Sequence, residues 1–430
     1  MVGPATERDM EYQLLPDLIA MTAMIGVMLS LRRRYPQARL NAWLVGLTLI
    51  LLEETIFAFY DRTSPWAHTV HAVMMNCYVI ASAAFLLSAT EEQQLGRRRF
   101  WYIAVNLIPQ MALMTLYGYY RQERAFYLAV AAIAVLLGLA TARKTRSNYL
   151  PGVTYFLLWG PLAWAAWQRD FRTMAYGSLF FLYALCALMF WRVMPRGSNG
   201  KRVIVMGLAF WAMVFLTHPM VAKHPKYIGV ANAVWDMQKF VITTGMVLLL
   251  LEEEITNKEW MALHDALTGL PNRRLFDDRL EHGLAMTERG RTVLGLLMID
   301  LNGFKQVNDT LGHEAGDLLL REVAQRMQKM TRKSDTLART GGDEFGVITM
   351  QAADREQMER IARSLRAAVA EPIMLGKHGI VRMTISIGVA VYPADAQDFT
   401  TLCAAADKKM YEDKKAFYRQ EAALAARSPA

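Results

Sequence analysis

Asp335-Thr-Leu-Ala-Arg-Thr340 and Glu344-Phe-Gly-Val-Ile-Thr-Met350, joined through Gly341-Gly342-Asp343, decide the fold of the C-terminal part of this chain. Both runs are strand-like, and a Gly-Gly pair between two such runs signals a hairpin. Upstream lies Ala315–Thr331, apolar at helical spacing, and before it Val293–Asp300, a buried strand ending in an acid. Downstream come a helix at Asp354–Ala370, an alternating strand at Val381–Val391 and a closing helix at Phe399–Phe417. The order β-α-β-β-α-β predicts an α/β (α+β) ferredoxin-like sheet.

That topology places the first strand beside the central hairpin, so Asp300 approaches Asp343 and Glu344. Carboxylates at neighbouring turns repel unless a cation lies between them. Hard oxygens in an incomplete cage suit Mg²⁺ shared with nucleotide phosphates. Lys305 offers a phosphate contact, and Asn308, His313 and Asp317 offer polar groups just beyond it. Metal, cation and base-reading groups together make a phosphoryl-transfer constellation.

Gly341-Gly342-Asp343-Glu344-Phe345 resembles the signature of the GGDEF diguanylate cyclases, and three further motifs accompany it in order. Asp265-Ala-Leu-Thr-Gly-Leu-Pro-Asn-Arg-Arg274 is similar to the family's opening motif. Asp300-Leu-Asn-Gly-Phe-Lys-Gln-Val-Asn308-Asp-Thr-Leu-Gly-His313-Glu-Ala-Gly-Asp317 is similar to its metal and guanine segment, and Asp407-Lys-Lys-Met-Tyr-Glu-Asp-Lys414 to its last helix. The resemblance covers about residues 260–420.

The resemblance implies condensation of two GTP to cyclic di-GMP and two pyrophosphates, with two domains facing each other in a homodimer. It implies two Mg²⁺ per active site, held by Asp300, the Leu301 carbonyl and Asp343 with help from Glu344. Asp343 is then the base for the 3′-hydroxyl. Asn308 and Asp317 read guanine, His313 contacts the nucleotide, and Lys305, Lys414 and the Phe304 amide contact phosphate. An Asp at position 317 favours GTP over ATP. Arg332-Lys-Ser-Asp335 implies a product-inhibition site, with Arg363 or Arg366 as its second arginine. The sequence departs from the family at Phe417 and Tyr418, where a small residue and an arginine are usual, so one phosphate contact is in question.

The first part of the chain is of another kind. The whole has 54% hydrophobic residues and a mean hydropathy of +0.15, which excludes a disordered chain. Residues 1–251 hold 23 of the 48 Lys+Arg but only 12 of the 39 Asp+Glu, so the net charge of +9 resides there. These basic residues flank apolar runs, which points to membrane topology and not to nucleic acid. Nine runs can be drawn, at about 12–31, 40–60, 66–89, 100–120, 125–142, 149–168, 172–191, 203–221 and 227–251. Glu7, Asp9 and Glu11 before the first run do not make a signal peptide. Alternate loops carry 14 and 7 Lys+Arg, and the richer set (Arg32–Arg39, Arg97–Arg99, Arg143–Arg146, Arg192–Arg202) should be cytoplasmic. The expectation is an inner-membrane protein among lipid, N-terminus outside and C-terminal domain inside. Three scattered cysteines, Cys77, Cys186 and Cys403, exclude a disulfide framework.

Polar residues inside spans need a reason. Glu53, Glu54, His68, His71, Asn76, His218 and the face Asn232-Asp236-Lys239 belong by this topology to the outer half of the membrane. They read either as interhelical hydrogen bonding or as a sensory pocket for a transition metal, a haem or another polar ligand. The last run passes through Glu252–Glu254 to Leu263 without Pro or Gly, so one helix links both parts. The expected domains are 1–251 (nine-helix sensory), 252–263 (signalling helix) and 260–420 (cyclase). Two rival readings are a degenerate domain that only binds cyclic di-GMP, and a transporter-like domain regulated by a cyclase.

Overall fold

β1 (Leu294–Asn302) is buried at all nine positions of the computed structural model, and the C-terminal unit is built around it. β1 pairs antiparallel with both β3 (Glu344–Thr349) and β6 (Thr384–Tyr392), and β2 (Thr336–Arg339) closes one edge, giving the order β2-β3-β1-β6. This is the expected ferredoxin-like order.

Helices cover both faces of the sheet. Leu297, Ile299 and Leu301 share a core with α12 (His313–Met330) and α13 (Arg355–Ala370). Leu294, Leu296 and Met298 share another with α10 (Arg273–Gly290) and α14 (Phe399–Ala425). Alternate residues of one strand feed two cores, which is why β1 reads as an unbroken apolar run.

Some boundaries differ from expectation. β1 runs two residues past Asp300, α14 continues beyond Phe417, and a separate short helix α11 (Phe304–Leu311) precedes α12, with Gly312 at φ 84° between them. The strand expected at Val381–Val391 is two elements: β6, and a small hairpin of β4 (Ile373–Met374) with β5 (Ile380–Val381).

The structure describes residues 7–35, 37–59, 63–89, 103, 107–144, 150–194, 197–221, 223–224, 226, 228–290, 292–350 and 354–425. It separates into two units, Met1–Glu254 and Ile255–Ala430. The arginines at 97–99, Arg146, Arg196 and the side chain of Asn232 lie outside what is described.

Among the described residues, the first unit holds α1 (Glu7–Arg34), α2 (Ala38–Ala58), α3 (Ala67–Ala89), α4 (107–118), α5 (Arg124–Lys144), α6 (Leu150–Trp167), α7 (Phe171–Val193), α8 (Asn199–Val221) and the start of α9 (Ile228–Leu263). Five of these, α1, α2, α3, α7 and α8, are long and apolar enough to cross a membrane. The apolar stretch of α5 is shorter, at Arg124–Ala140. The apolar side chains Ile19, Leu52, Trp191 and Met206 on α1, α2, α7 and α8 are exposed, as suits helices apolar enough to cross a membrane.

Small residues set the closest helix contacts. A Cβ at Gly200 of α8 would stand 2.3 Å from the Leu249 backbone nitrogen, and one at Gly118 of α4 would stand 2.3 Å from the Ala72 Cα of α3. At one end of the bundle, Glu252 of α9 accepts from Ser198 Oγ (2.5 Å) and from the Asn199 and Gly200 amides at the start of α8 (3.0 and 3.3 Å). Glu253 beside it pairs with Arg39 at the start of α2 at 2.7 Å. Cys77 and Cys186 are buried, as expected for packing thiols.

Candidate functional site

The register of the sheet assembles the C-terminal site. Asp300 of β1 lies directly opposite Glu344 of β3, and the Leu301 amide donates to the Asp343 carbonyl at 3.2 Å. Three expected metal-site residues and the Leu301 backbone therefore meet at the ends of two central strands. Lys414 of α14 reaches the same point, its Nζ 2.6 Å from Asp300 Oδ1. Burial pushes the Asp300 carboxyl above the ordinary range, the Lys414 ammonium opposes this, and the Asp343 charge adds to it. Burial works to lower the Lys414 pKa, but its hydrogen bond and attraction to Asp300 outweigh this and raise it.

Among the described residues, no group of three or more His, Cys, Asp or Glu side chains is placed to enclose a metal ion. Mg²⁺ needs no such cage when it shares its ligands with a nucleotide: one or two carboxylates and the phosphates suffice. Asp300, nearly buried, with Asp343 beside it, fits that mode, and Lys414 holds the place of the positive charge.

The Gly341–Gly342 turn is held from behind. Arg339 donates from Nε and Nη2 to the Gly342 carbonyl (3.0 and 2.7 Å) and from Nη1 to both Asp265 carboxylate oxygens (3.0 and 3.1 Å). Asp265 also accepts from the Thr268 amide and hydroxyl. Burial acts to raise the Asp265 pKa, but Thr268 and Arg339 outweigh it and hold it below the ordinary value. The opening motif thus supplies the brace of the turn, and Arg339 is a site residue that the sequence reading did not single out. Neither Gly341 nor Gly342 has a positive φ. At Gly341 the value is space, since a Cβ there would press on Glu344 Oε2 at 3.0 Å, whereas one on Gly342 would meet nothing within 4 Å.

Asn308 and Asp317 sit on α11 and α12, joined at Gly312, whose amide donates to the Asn308 carbonyl at 2.9 Å. Gly316 makes room for Asn308, since a Cβ there would fall 2.0 Å from Asn308 Oδ1. Lys305, His313 and Asp317 are exposed, and Phe304 is half-buried at the start of α11. α14 is fastened along β6: Lys409 donates to the Val389 carbonyl at 2.9 Å and Asp413 accepts from the Ile387 amide at 2.9 Å. Gly388 lets the helix approach so closely that a Cβ would stand 1.9 Å from the Ala406 carbonyl oxygen.

Arg332-Lys-Ser-Asp335 forms a tight turn, with the Asp335 amide donating to the Arg332 carbonyl at 3.0 Å and the Arg332 amide to Asp335 Oδ2 at 3.3 Å. The Arg332 side chain is exposed. Of the two candidate partner arginines, Arg366 is engaged by Asp413 at 2.7 Å, whereas Arg363 is exposed on α13. Phe417, at a departure from the family pattern, lines a cavity of about 270 Å³ with Asn302, Thr384, Arg366 and Asp413.

A second site lies within the first unit. Glu53, Glu54, His71, His218 and Asp236 line one cavity of about 360 Å³. Five of the six candidate sensory residues therefore meet in space. His68 does not line it; it is exposed and packs edge-on against Tyr120. Asn76 is turned to the Ala72 carbonyl and Thr115 hydroxyl. Lys239 Nζ pairs with Glu54 at 2.5 Å and Asp236 at 3.4 Å, and Tyr78 donates to Glu53 at 2.8 Å. Both histidine rings stack on tyrosines: His218 on Tyr176 at 4.0 Å, His71 on Tyr120 at 5.0 Å. The aromatic wall of Tyr78, Tyr176, Trp211 and Phe215 was not visible in the sequence, because such residues are ordinary in membrane spans.

Residues 262–420 match the family described as diguanylate cyclase, GGDEF domain. Through this segment the chain belongs to the GGDEF family, as its motifs implied. It is 45% identical over 154 residues to the bifunctional diguanylate cyclase/cyclic di-GMP phosphodiesterase MucR of Pseudomonas aeruginosa, over 36% of this chain and 22% of that protein. It is 39% identical over 165 residues to the diguanylate cyclase TpbB of Pseudomonas aeruginosa, over 38% of each. A solved structure of the TpbB GGDEF domain aligns at 41% identity with a TM-score of 0.35, covering 35% of this chain and 88% of that one. The match thus spans well under half the length of these curated relatives.

Proposed function

We propose that the chain is a membrane-anchored diguanylate cyclase that condenses two GTP into cyclic di-GMP and releases two pyrophosphates. The observation that carries this is the meeting of Asp300, Glu344, the Asp343 backbone and Lys414 at the ends of β1 and β3. A degenerate binding domain would not need to keep that set.

In this reading Asn308 and Asp317 receive the guanine edge across the α11–α12 junction. Lys305, Lys414 and the Phe304 amide hold phosphate, and His313 contacts the nucleotide. Asp300, the Leu301 carbonyl and Asp343, with Glu344 assisting, would hold Mg²⁺, which would supply charge neutralisation at the phosphates. Each 3′-hydroxyl oxygen bonds to the α-phosphorus of the other nucleotide, and its proton passes to Asp343. The bond to the β-phosphate oxygen breaks and pyrophosphate leaves. Lys414 then stabilises charge on the leaving phosphates. One domain holds one GTP, so the active form is a homodimer. Arg332 and Asp335 bind product and inhibit.

The membrane part is read as nine alternating helices in lipid of the inner membrane, N-terminus outside and cyclase inside, within the boundaries 1–251, 252–263 and 260–420. The cavity supports the alternation of direction among the helices that line it. It joins the C-terminal ends of α2 and α8, the end of the chain after α4 at Tyr120, and the N-terminal ends of α3, α7 and α9. A chain that crosses with α2, α3, α7, α8 and α9 in alternating directions accounts for that meeting of ends. The ion pairs of Glu252 and Glu253 tie the starts of α8 and α2 at the opposite end.

The test is turnover by the purified full-length protein. GTP with Mg²⁺ should yield cyclic di-GMP and two equivalents of pyrophosphate, and Asp343→Ala should abolish it. Cyclic di-GMP binding without any turnover would establish the receptor reading instead.

A further inference from the structure

We infer that the cavity between α2, α3, α8 and α9 is a binding site for a small organic cation bearing N–H groups, a primary amine or guanidine attached to an apolar body. This inference goes beyond the cyclase reading and does not depend on it.

The charge balance argues for a cation. Among the described residues, three carboxyl groups, Glu53, Glu54 and Asp236, face the cavity with one ammonium, Lys239. Glu53 is 7% exposed and Lys239 2% exposed. Glu53 is met by the Tyr78 hydroxyl, whereas Glu54 and Asp236 share one ammonium, and an excess of one carboxylate at membrane depth is costly without a partner. Lys239 is already divided between Glu54 and Asp236.

Hydrogen-bond capacity gives the second argument. Glu54 Oε2 and Gln238 Oε1 are buried, both residues line the cavity, and neither oxygen has a partner among the described residues. Gln238 is 5% exposed. Both are acceptors, so the occupant that completes them is a donor. A ring of aromatic faces around an acidic pocket is the usual surroundings of an ammonium or guanidinium. Trp211 and Phe215 supply the apolar wall, and Tyr78 meets both edge-on with centroids at 6.2 and 5.4 Å. A volume of about 360 Å³ admits a metabolite-sized molecule.

The arrangement does not favour the transition metal or haem that the polar residues also allowed. The described residues form no group of three ligating side chains, and His71 and His218 both lie flat against tyrosine rings. Asp236, Gln238 and Lys239 belong to α9, the helix that continues to Leu263, so occupancy acts on that helix directly.

The test is titration calorimetry of the full-length protein in lipid nanodiscs, without nucleotide. The probes are phenethylammonium, its anionic analogue phenylacetate, and phenyltrimethylammonium, which has no N–H. Saturable binding of phenethylammonium alone is expected, weakened at least tenfold in Glu54→Gln and in Gln238→Leu. Gln238→Leu leaves the Lys239 ion pairs in place, so it decides the matter if Glu54→Gln does not fold. No binding of phenethylammonium, equal binding of either control, or unchanged affinity in Gln238→Leu overturns the inference. Stoichiometric haem or transition metal in the purified protein also overturns it. Because no nucleotide is present, these outcomes leave the cyclase reading untouched, and absence of GTP turnover leaves them untouched in return.

Discussion

Lys414 Nζ lies 2.6 Å from Asp300 Oδ1, joining the closing helix to the end of the central strand. The lysine expected at phosphate is, without nucleotide, the counter-ion of the buried carboxylate expected at metal. The two roles are compatible. A cation that takes over Asp300 frees Lys414 for the phosphates arriving with it. Replacing Lys414 with Met removes the counter-ion and the phosphate contact together. The expected result is a GTP KM raised at least tenfold and a higher Mg²⁺ requirement, with the far-ultraviolet dichroism unchanged. Steady-state rates over a matrix of GTP and Mg²⁺ concentrations check it, and unchanged constants would remove Lys414 from the site.

Gly316 makes room for Asn308, the side chain proposed to receive the guanine edge. An added methyl would collide with Asn308 Oδ1, so Gly316→Ala turns Asn308 away from its present position. GTP affinity should fall about tenfold, equivalent to ~1.4 kcal/mol. Two-state stability should change far less than affinity, because α12 gains helix propensity from Ala. Binding of a non-hydrolysable GTP analogue measures the first and thermal unfolding the second.

The brace behind the turn gives a pH prediction. Asp265 is held below its ordinary pKa, so the unfolded chain takes up this proton before the folded one does. The stability that the Asp265–Arg339 pair contributes is therefore complete above the unfolded value near 3.8 and is lost as pH falls through the lower folded value. Asp265→Asn should cost about 1–3 kcal/mol at pH 7, as for a charge-assisted hydrogen bond, and almost nothing near pH 2. Denaturant titrations of both proteins across that range check the convergence. The same substitution loosens Gly342, so cyclase activity should fall at pH 7 as well.

These pairs show where the sequence was legible. That β1 lies beside β3 was, because a buried apolar run ending in Asp300 and a Gly-Gly hairpin admit one common sheet order; the residue-by-residue register was not. Asp265 was recognisable as part of a motif, but its partner stands 74 residues away, and no spacing rule joins two such positions. The junction at Gly312 and the two-residue strands β4 and β5 are too short for periodicity to register. In the first unit the polar residues of the cavity stood out against apolar spans. Its tyrosines and Trp211 did not, since an aromatic in a span is unremarkable until packing turns it inward.

Gly388 tests whether α14 delivers Lys414. Its missing side chain lets the Ala406–Met410 turn lie on the backbone of β6; a Cβ would meet the Ala406 carbonyl oxygen at 1.9 Å. Gly388→Ala must push the helix outward, at about 1–3 kcal/mol of strain. Lys409 and Asp413 hold the helix on either side of this point, so the displacement is carried on toward Lys414. A lower melting temperature together with a loss of activity like that of Lys414→Met is expected. Full activity in a destabilised protein would show that Lys414 finds Asp300 independently of helix seating.

The proposed product site at Arg332 can be tested apart from catalysis. The Arg332 side chain is exposed, while its backbone closes the turn with Asp335. Arg332→Ala therefore leaves the turn hydrogen bonds available and removes only the guanidinium, which suits phosphate and guanine edges bidentately. The initial rate at low product should stay within twofold of the parent. Inhibition by added cyclic di-GMP should require at least tenfold more product. Progress curves that bend early in the parent should then stay linear for longer in the variant. If they bend equally, product acts elsewhere, and Arg332 is a surface residue of the turn and nothing more.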